Sequence, residues 1–209
     1  MDWADIPWAS IITALALAIG LPLALRARKK GGPQKVEQLL QHLRAAGIKV
    51  SQLGENVEEK NLGIGRGSGH RSEGILKVEG KSIDFINITS VAGQYGVNYF
   101  IDYLVKSPGR MGKMDRKRAK LSRKKSSLIG GKLVDVEWKG DHYLSQILNL
   151  DYQLKDRLLL AELEKLEGDI SVFPEPKYEY ARIRTVYLLP STDLLEAVNI
   201  IARHIKTEW

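Results

Sequence analysis

The sequence predicts an α+β domain with a mainly antiparallel sheet and flanking amphipathic helices, carried behind one N-terminal transmembrane helix. Three observations lead there. An uncharged apolar stretch opens the chain. Short segments of alternating apolar and polar residues follow, separated by glycine and proline turns. Amphipathic helical stripes flank that strand-rich part, and no steady βαβ rhythm is present.

Residues 6–25, IPWASIITALALAIGLPLAL, hold no charge and only Ser10 and Thr13 as polar members. A helix of that length spans ~30 Å at ~1.5 Å per residue, the depth of a bilayer's hydrocarbon core. Gly20 and Pro22 are tolerated in such spans, and Trp3 and Trp8 suit the interfacial belt. A cleaved signal peptide needs a basic leading region, where Asp2 and Asp5 stand instead, and a small-residue cleavage site before the soluble part. The reading is therefore an uncleaved anchor, residues 1–30. Arg26, Arg28, Lys29 and Lys30 follow the span and none precedes it. That puts the C-terminal domain in the cytoplasm and the N-terminus outside. The glycosylation pattern Asn87-Ile88-Thr89 then falls on the wrong side of the membrane for that modification. Ser10, Ala14 and Ala18 form a small-residue ridge on which a second copy of the span can pack as a homodimer.

Residues 31–209 read as one soluble domain. Val36, Leu39, Leu40, Leu43 and Ala46 make one helical stripe, closed by Gly47, and a short strand follows near residues 48–53. Residues 54–74 are polar and glycine-rich and read as a loop. Three strands come next: ILKV, SIDFINIT and QYGVNYFIDYLV. In the third, Tyr95, Tyr99 and Tyr103 share a face with Val97, Ile101 and Val105. A row of tyrosines can stack bases, but more often it is the packed side of a sheet. KLVDVEW is a further strand. Residues 141–166 are helical with a break at 149–151, where Asp151 can cap a second helix. DISVF and YEYARIRTVYLL are strands joined by the turn PEPK. A last helix covers about 192–206, with Ser191 or Thr192 as cap and charges that suit its dipole at both ends.

The net charge of +7 on 209 residues is not spread over the domain. Residues 106–125 hold ten basic residues against Asp115, a local +9, which leaves −2 for the rest. A nucleic-acid-binding domain usually spreads its positive charge over a folded face. The composition, 44% hydrophobic and 27% charged, is that of an ordinary globular chain. The absence of cysteine excludes disulfides, zinc-thiolate sites, iron–sulfur clusters and thiol nucleophiles.

No motif specifies a reaction. In GIGRGSGHRS, residues 63–72, alternating glycines beside Arg66 and Arg71 suggest a phosphate nest. The P-loop pattern fails there, because His70 and Arg71 replace its Gly and Lys and the next segment reads as a strand. His42, His70, His142 and His204 are scattered, so no metal site is expected, and nothing calls for a cofactor. Asp84 and Asp102 fall on strands that can approach each other, and read as ordinary surface carboxylates.

What remains is the basic stretch. Residues 106–131 read as a long polybasic loop within the domain, with Arg110, Lys113, Arg116, Lys117, Arg118, Lys120, Arg123, Lys124 and Lys125 as an anionic-surface contact. Anionic lipid headgroups of the anchoring bilayer are the first partner. Nucleic acid is the second, weakened by the lack of any aromatic residue within 110–125, and an acidic protein the third. Phosphorylation at Ser122, Ser126 or Ser127 would weaken a lipid contact. The reading is a non-catalytic binding or scaffolding protein at the inner membrane surface. The alternative is a membrane-tethered enzyme or phosphate-binding domain using Arg66, Arg71 and the glycine loop.

Overall fold

The computed structural model describes residues 31–53, 70–93, 96–107, 116–127, 132–166, 168–207 and 209. The expected membrane span, Ser10, Ala14 and Ala18, the cluster Arg26 to Lys30, and Arg66, Arg110 and Lys113 lie outside them. Among the described residues no helix is long and apolar enough to cross a membrane.

The domain is α+β. Helix α1, residues 31–45, buries Val36, Leu39, Leu40 and Leu43 on the i, i+3, i+4, i+7 stripe that its sequence shows. Gly47, at φ +76°, ends it. Its amide donates to Arg44 O, and the Ile48 amide to Leu43 O, both at 3.0 Å, which satisfies the last carbonyls in a Schellman arrangement.

Eight strands follow: β1 Lys49–Gln52, β2 His70–Glu79, β3 Phe85–Gly93, β4 Gly96–Lys106, β5 Ala119–Lys125, β6 Leu133–Gly140, β7 Ser171–Glu175 and β8 Tyr180–Val186. They form one sheet in the order β1-β2-β3-β4-β8-β7-β5-β6, antiparallel at every junction. Helices α2 His142–Leu150 and α3 Tyr152–Leu160 lie between β6 and β7 in sequence, and α4 Thr192–Thr207 ends the chain. Asp141 caps α2 through the Leu144 amide and Asp151 caps α3 through the Leu154 amide, each at 2.9 Å. Ser191 Oγ accepts from the Leu194 amide at 3.2 Å and caps α4.

One face of the sheet is covered by these helices. Ile86, Ile88, Ile101, Tyr103, Val105, Leu121, Trp138 and Ile183 point into that layer and meet Leu39, Leu43, Leu144, Leu154, Val198 and Ile201. Tyr103 is fully buried there and Tyr99 packs against the same layer, while Tyr95 lies outside the described residues; burial pushes the Tyr103 hydroxyl well above the ordinary range. The opposite face has a small apolar cluster of Ile75, Leu104 and Tyr180, with Phe85, Leu53 and Tyr178 against it. Beyond that cluster it carries Asn87, Thr89, Asp102, Arg182 and Arg184, with Phe100 and Phe173 among them.

Two expectations are corrected. The loop read over 54–74 gives way to strand at His70, because β2 continues past a bulge between Ser72 and Gly74 to pair with the end of β3. The polybasic loop read over 106–131 contains β5, an interior strand. Ala119 and Leu121 supply the inward side of that strand, at 0% and 1% exposure. Its other positions are Ser122 and four cations, so the alternation is too short to read from sequence. Gly140 fixes where β5 enters: at φ +115° its backbone passes so close that a Cβ would stand 2.1 Å from Arg118 O. The next residue, Asp141, donates its amide to that same oxygen at 3.1 Å.

Asp151 also binds His204 Nε2 at 2.7 Å, which clamps α3 to α4. Burial pulls the Asp151 carboxyl upward, but the bonds from His204 and the Leu154 amide outweigh it and hold the group below its usual pKa. A depressed folded-state pKa contributes stability above the unfolded value of ~3.9, lost as pH falls through the folded value. Asp151→Asn keeps a cap but loses the charge. It is expected to cost about 1–2 kcal/mol at neutral pH and to flatten the acid limb below about pH 4. Urea unfolding at a series of pH values checks both.

Candidate functional site, a basic cleft at one end of the sheet

Strand β5 pairs with β6 along its length, from Ala119↔Gly140 to Lys125↔Leu133. On its other side it pairs with β7 only at Ala119↔Val172 and Lys120↔Ser171, and the Leu121 amide then reaches Ile170 O at 2.9 Å. Beyond that point the two strands part, and a half-open cleft of about 770 Å³ lies along the freed part of β5. Lys120, Arg123, Lys125 and Lys139 line it, with Ser122, Ser126, Ser127 and, among the described residues, one acid, Asp169.

Asp169 sits between two of the cations, 2.7 Å from Lys120 Nζ and 3.6 Å from Arg123 Nη2. Arg123 is held rigidly, because its Nη1 also donates to Leu163 O at 2.6 Å and Leu166 O at 3.1 Å. Lys120 and Lys139 stand directly opposite each other across the β5–β6 ladder. Like charges at such a position destabilise a sheet. Lys139 is relieved by Glu137 at 3.4 Å, while Lys125 is exposed at the rim. Among the described residues two carboxylates, Asp169 and Glu137, stand against four cations, and the excess positive charge makes the cleft attractive to an anion that reaches it.

The basic residues named from the sequence do not form one surface. Lys120, Arg123 and Lys125 meet at the cleft. Lys124 turns to Asp135 at 3.3 Å and Glu137 at 3.6 Å. Arg116, Lys117 and Arg118 stand at the other end of the strand. The Arg116 guanidinium lies over Tyr143 and Trp209 and donates to the Trp209 main-chain oxygen at 3.2 Å. The Lys117 amide binds Asp141 Oδ2 at 3.0 Å. Arg118 lies over the Phe173 ring, 4.8 Å from its centroid, and donates to Ser171 Oγ. Arg71 stands exposed on β2, its backbone in the ladder opposite Ser90. Lys139 and Asp169 were missed by sequence reasoning. Each is an ordinary charged residue in its own segment, and only the β7-β5-β6 order joins them.

Strand directions place the cleft relative to the N-terminal segment. At one end of the sheet β2 begins, β8 ends, β7 begins, β5 ends and β6 begins. Helix α1 starts at that same end. Lys35 O there accepts from the Tyr187 hydroxyl at 2.8 Å, and Lys35 Nζ lies 4.1 Å from the Tyr187 ring centroid. The helix then runs to the opposite end, where Lys49 pairs with Glu79. The basic cleft and the point where the chain enters the domain therefore share an end.

Asp102, read as a surface carboxylate, is 1% exposed at the centre of the sheet. Arg184 grips it with Nε at 2.7 Å and Nη2 at 2.8 Å, and Thr89 Oγ1 donates to it at 2.9 Å. Asp84 stands elsewhere, bound to the Lys106 amide and to Lys206 Nζ. His70 lies near the arginines, and burial, then the charges of Arg184 and Arg182, lower its pKa. Among the described residues no three His, Cys, Asp or Glu side chains group as a metal site.

No protein-family model matches the chain, and neither a curated protein nor a solved structure shows a significant similarity to it.

Removing one partner of a buried ion pair leaves the other uncompensated. Asp102→Ala is expected to destabilise the fold by about 3 kcal/mol or more. The double change with Arg184→Met should lose less than that single change. Denaturant unfolding of both variants measures the difference.

Proposed function

We propose that this chain is a single-pass membrane protein, its N-terminus outside, whose cytoplasmic domain binds anionic lipid headgroups through the cleft of Lys120, Arg123, Lys125 and Lys139. Its role is binding or scaffolding at the membrane surface. The observation that carries this reading is the shared end: the cleft opens where α1 receives the chain from the apolar segment. A domain tethered there has its basic end toward the bilayer.

The physics favours a second contact once the first exists. Tethering makes headgroup binding an intramolecular event at high effective concentration. Each Lys or Arg close to an anionic leaflet contributes ~1 kcal/mol, within a Debye length of ~8–10 Å. Three engaged side chains are enough to hold the domain down. The reading narrows the contact from a whole basic run to one end of β5, since Lys124 turns away from the cleft to Asp135 and Glu137 and Arg116 is engaged at the opposite end of the strand.

The full chain in neutral and in anionic nanodiscs, treated with an amine-reactive reagent and read by mass spectrometry, tests this. Lys120, Lys125 and Lys139 should be modified several-fold more slowly beside anionic lipid, and the protection should fade with salt. Lys49 and Lys77, exposed at the opposite end of the sheet, should be indifferent to lipid. Equal modification of all five lysines in the two lipids would sink the proposal, as would a chain that fails to enter the discs.

A further inference from the structure

The face of the sheet opposite the helices carries a second arrangement, continuous with the cleft but different in chemistry. The register sets side chains in two neighbouring rows. One row runs Asp102, Arg184, Ser171, Lys120, Lys139 across β4, β8, β7, β5 and β6. The next runs Arg182, Phe173 across β8 and β7, and Arg118, two residues before Lys120, continues it. Five cations thus share a band three strand spacings wide, ~14 Å. The Phe173 ring is stacked between two of them, with Arg118 at 4.8 Å and Arg182 at 4.7 Å from its centroid. Arg184 lies 4.9 Å from the Phe100 ring in the same way.

We propose that this face binds single-stranded nucleic acid, with phosphates on Lys120 and Lys139 and bases against the Arg118–Phe173–Arg182 stack. A single strand offers what the band is built for: a line of negative charges and flat π faces that stack on aromatic rings and guanidinium planes. A lipid headgroup has no flat group to use the stack. An acidic protein segment could reach the lysines but has no row of flat groups for the stack, and Arg184 and Arg182 are already held by Asp102 and Glu175, each at 2.8 Å. Those internal acids neutralise the guanidiniums and fix their planes, while Arg118 is exposed and has no carboxylate partner among the described residues. A duplex keeps its bases stacked inside and cannot use the platform. The sequence contains no aromatic residue within the basic run, and the fold supplies one from β7. The inference shares Lys120 and Lys139 with the lipid cleft but does not rest on the membrane reading.

Fluorescence anisotropy of a labelled oligothymidylate against the full chain in neutral-lipid nanodiscs tests it, at low and raised salt. Binding should weaken with salt. It should fall roughly tenfold in Phe173→Leu and in Arg118→Gln, the loss of about one stacked base. Lys49→Gln, at the far corner of the sheet, should bind as the parent does. Arg118 is an exposed side chain, so Arg118→Gln stays informative if Phe173→Leu unfolds, and a thermal melt identifies that case. Absence of binding at low salt, equal affinity for a duplex, or full binding by folded Arg118→Gln would each overturn the proposal. Lysine protection by anionic lipid without oligonucleotide binding would leave the cleft reading intact and remove this one.

Discussion

A strand with Lys120, Arg123, Lys124 and Lys125 in seven residues stays inside a sheet only if other segments neutralise it, and here they come from three directions. Asp169, just before β7, meets Lys120 and Arg123. Asp135 and Glu137, on β6, meet Lys124. The carbonyls that end the turn at 163–166 take the rest of Arg123. Exposed pairs of this kind contribute only about 0–1 kcal/mol each, so they do not drive the fold. The driving term is the apolar side: burying a residue such as Leu121 is worth roughly 1.5–3 kcal/mol, and Trp138 and Val172 pack in the same layer. What the acids do is make that burial compatible with the charges beside it. The positions of those acids fit the β7-β5-β6 order, and the cleft opens where β5 parts from β7.

The second fixed point is the β4–β8 junction, which joins the meander of β1–β4 to the group β5–β8. Asp102 and Arg184 stand opposite each other across it, 82 residues apart in sequence. A one-residue slip of β8 would turn Arg184 into the helix-covered layer and Asp102 toward an apolar neighbour. The pair thus penalises wrong register more than it adds stability, a use of buried charge that the specificity argument allows. Because Arg184 also lies over Phe100, and its neighbour Arg182 over Phe173, register control and the shape of this face are linked.

Most elements were legible in the sequence because their signals are local. The α1 stripe ending at Gly47, the break at Asp151 and the α4 stripe depend on residues within a few turns of one another. Strand β5 was not legible. Its apolar alternation is two residues long, and the acids its cations meet lie 11 to 49 positions further on. Asp102 was missed for the same reason: nothing near it in sequence announces Arg184. Trp209, fully buried with its indole N–H 3.3 Å from Asp141, was likewise silent. For the candidate site, the residue types were visible in the basic run, but their division between a cleft, an internal clamp and an aromatic stack was not.

Site-specific amide hydrogen exchange over residues 119–125 of the full chain tests most directly that the basic run is an interior strand with its cations sorted by the sheet. The expected result is protection of the ladder amides shared with β6 at a level comparable to β4 and β8. Exchange across 119–125 as fast as in an unstructured peptide would contradict it, and with it the cleft and the cation band that depend on that strand.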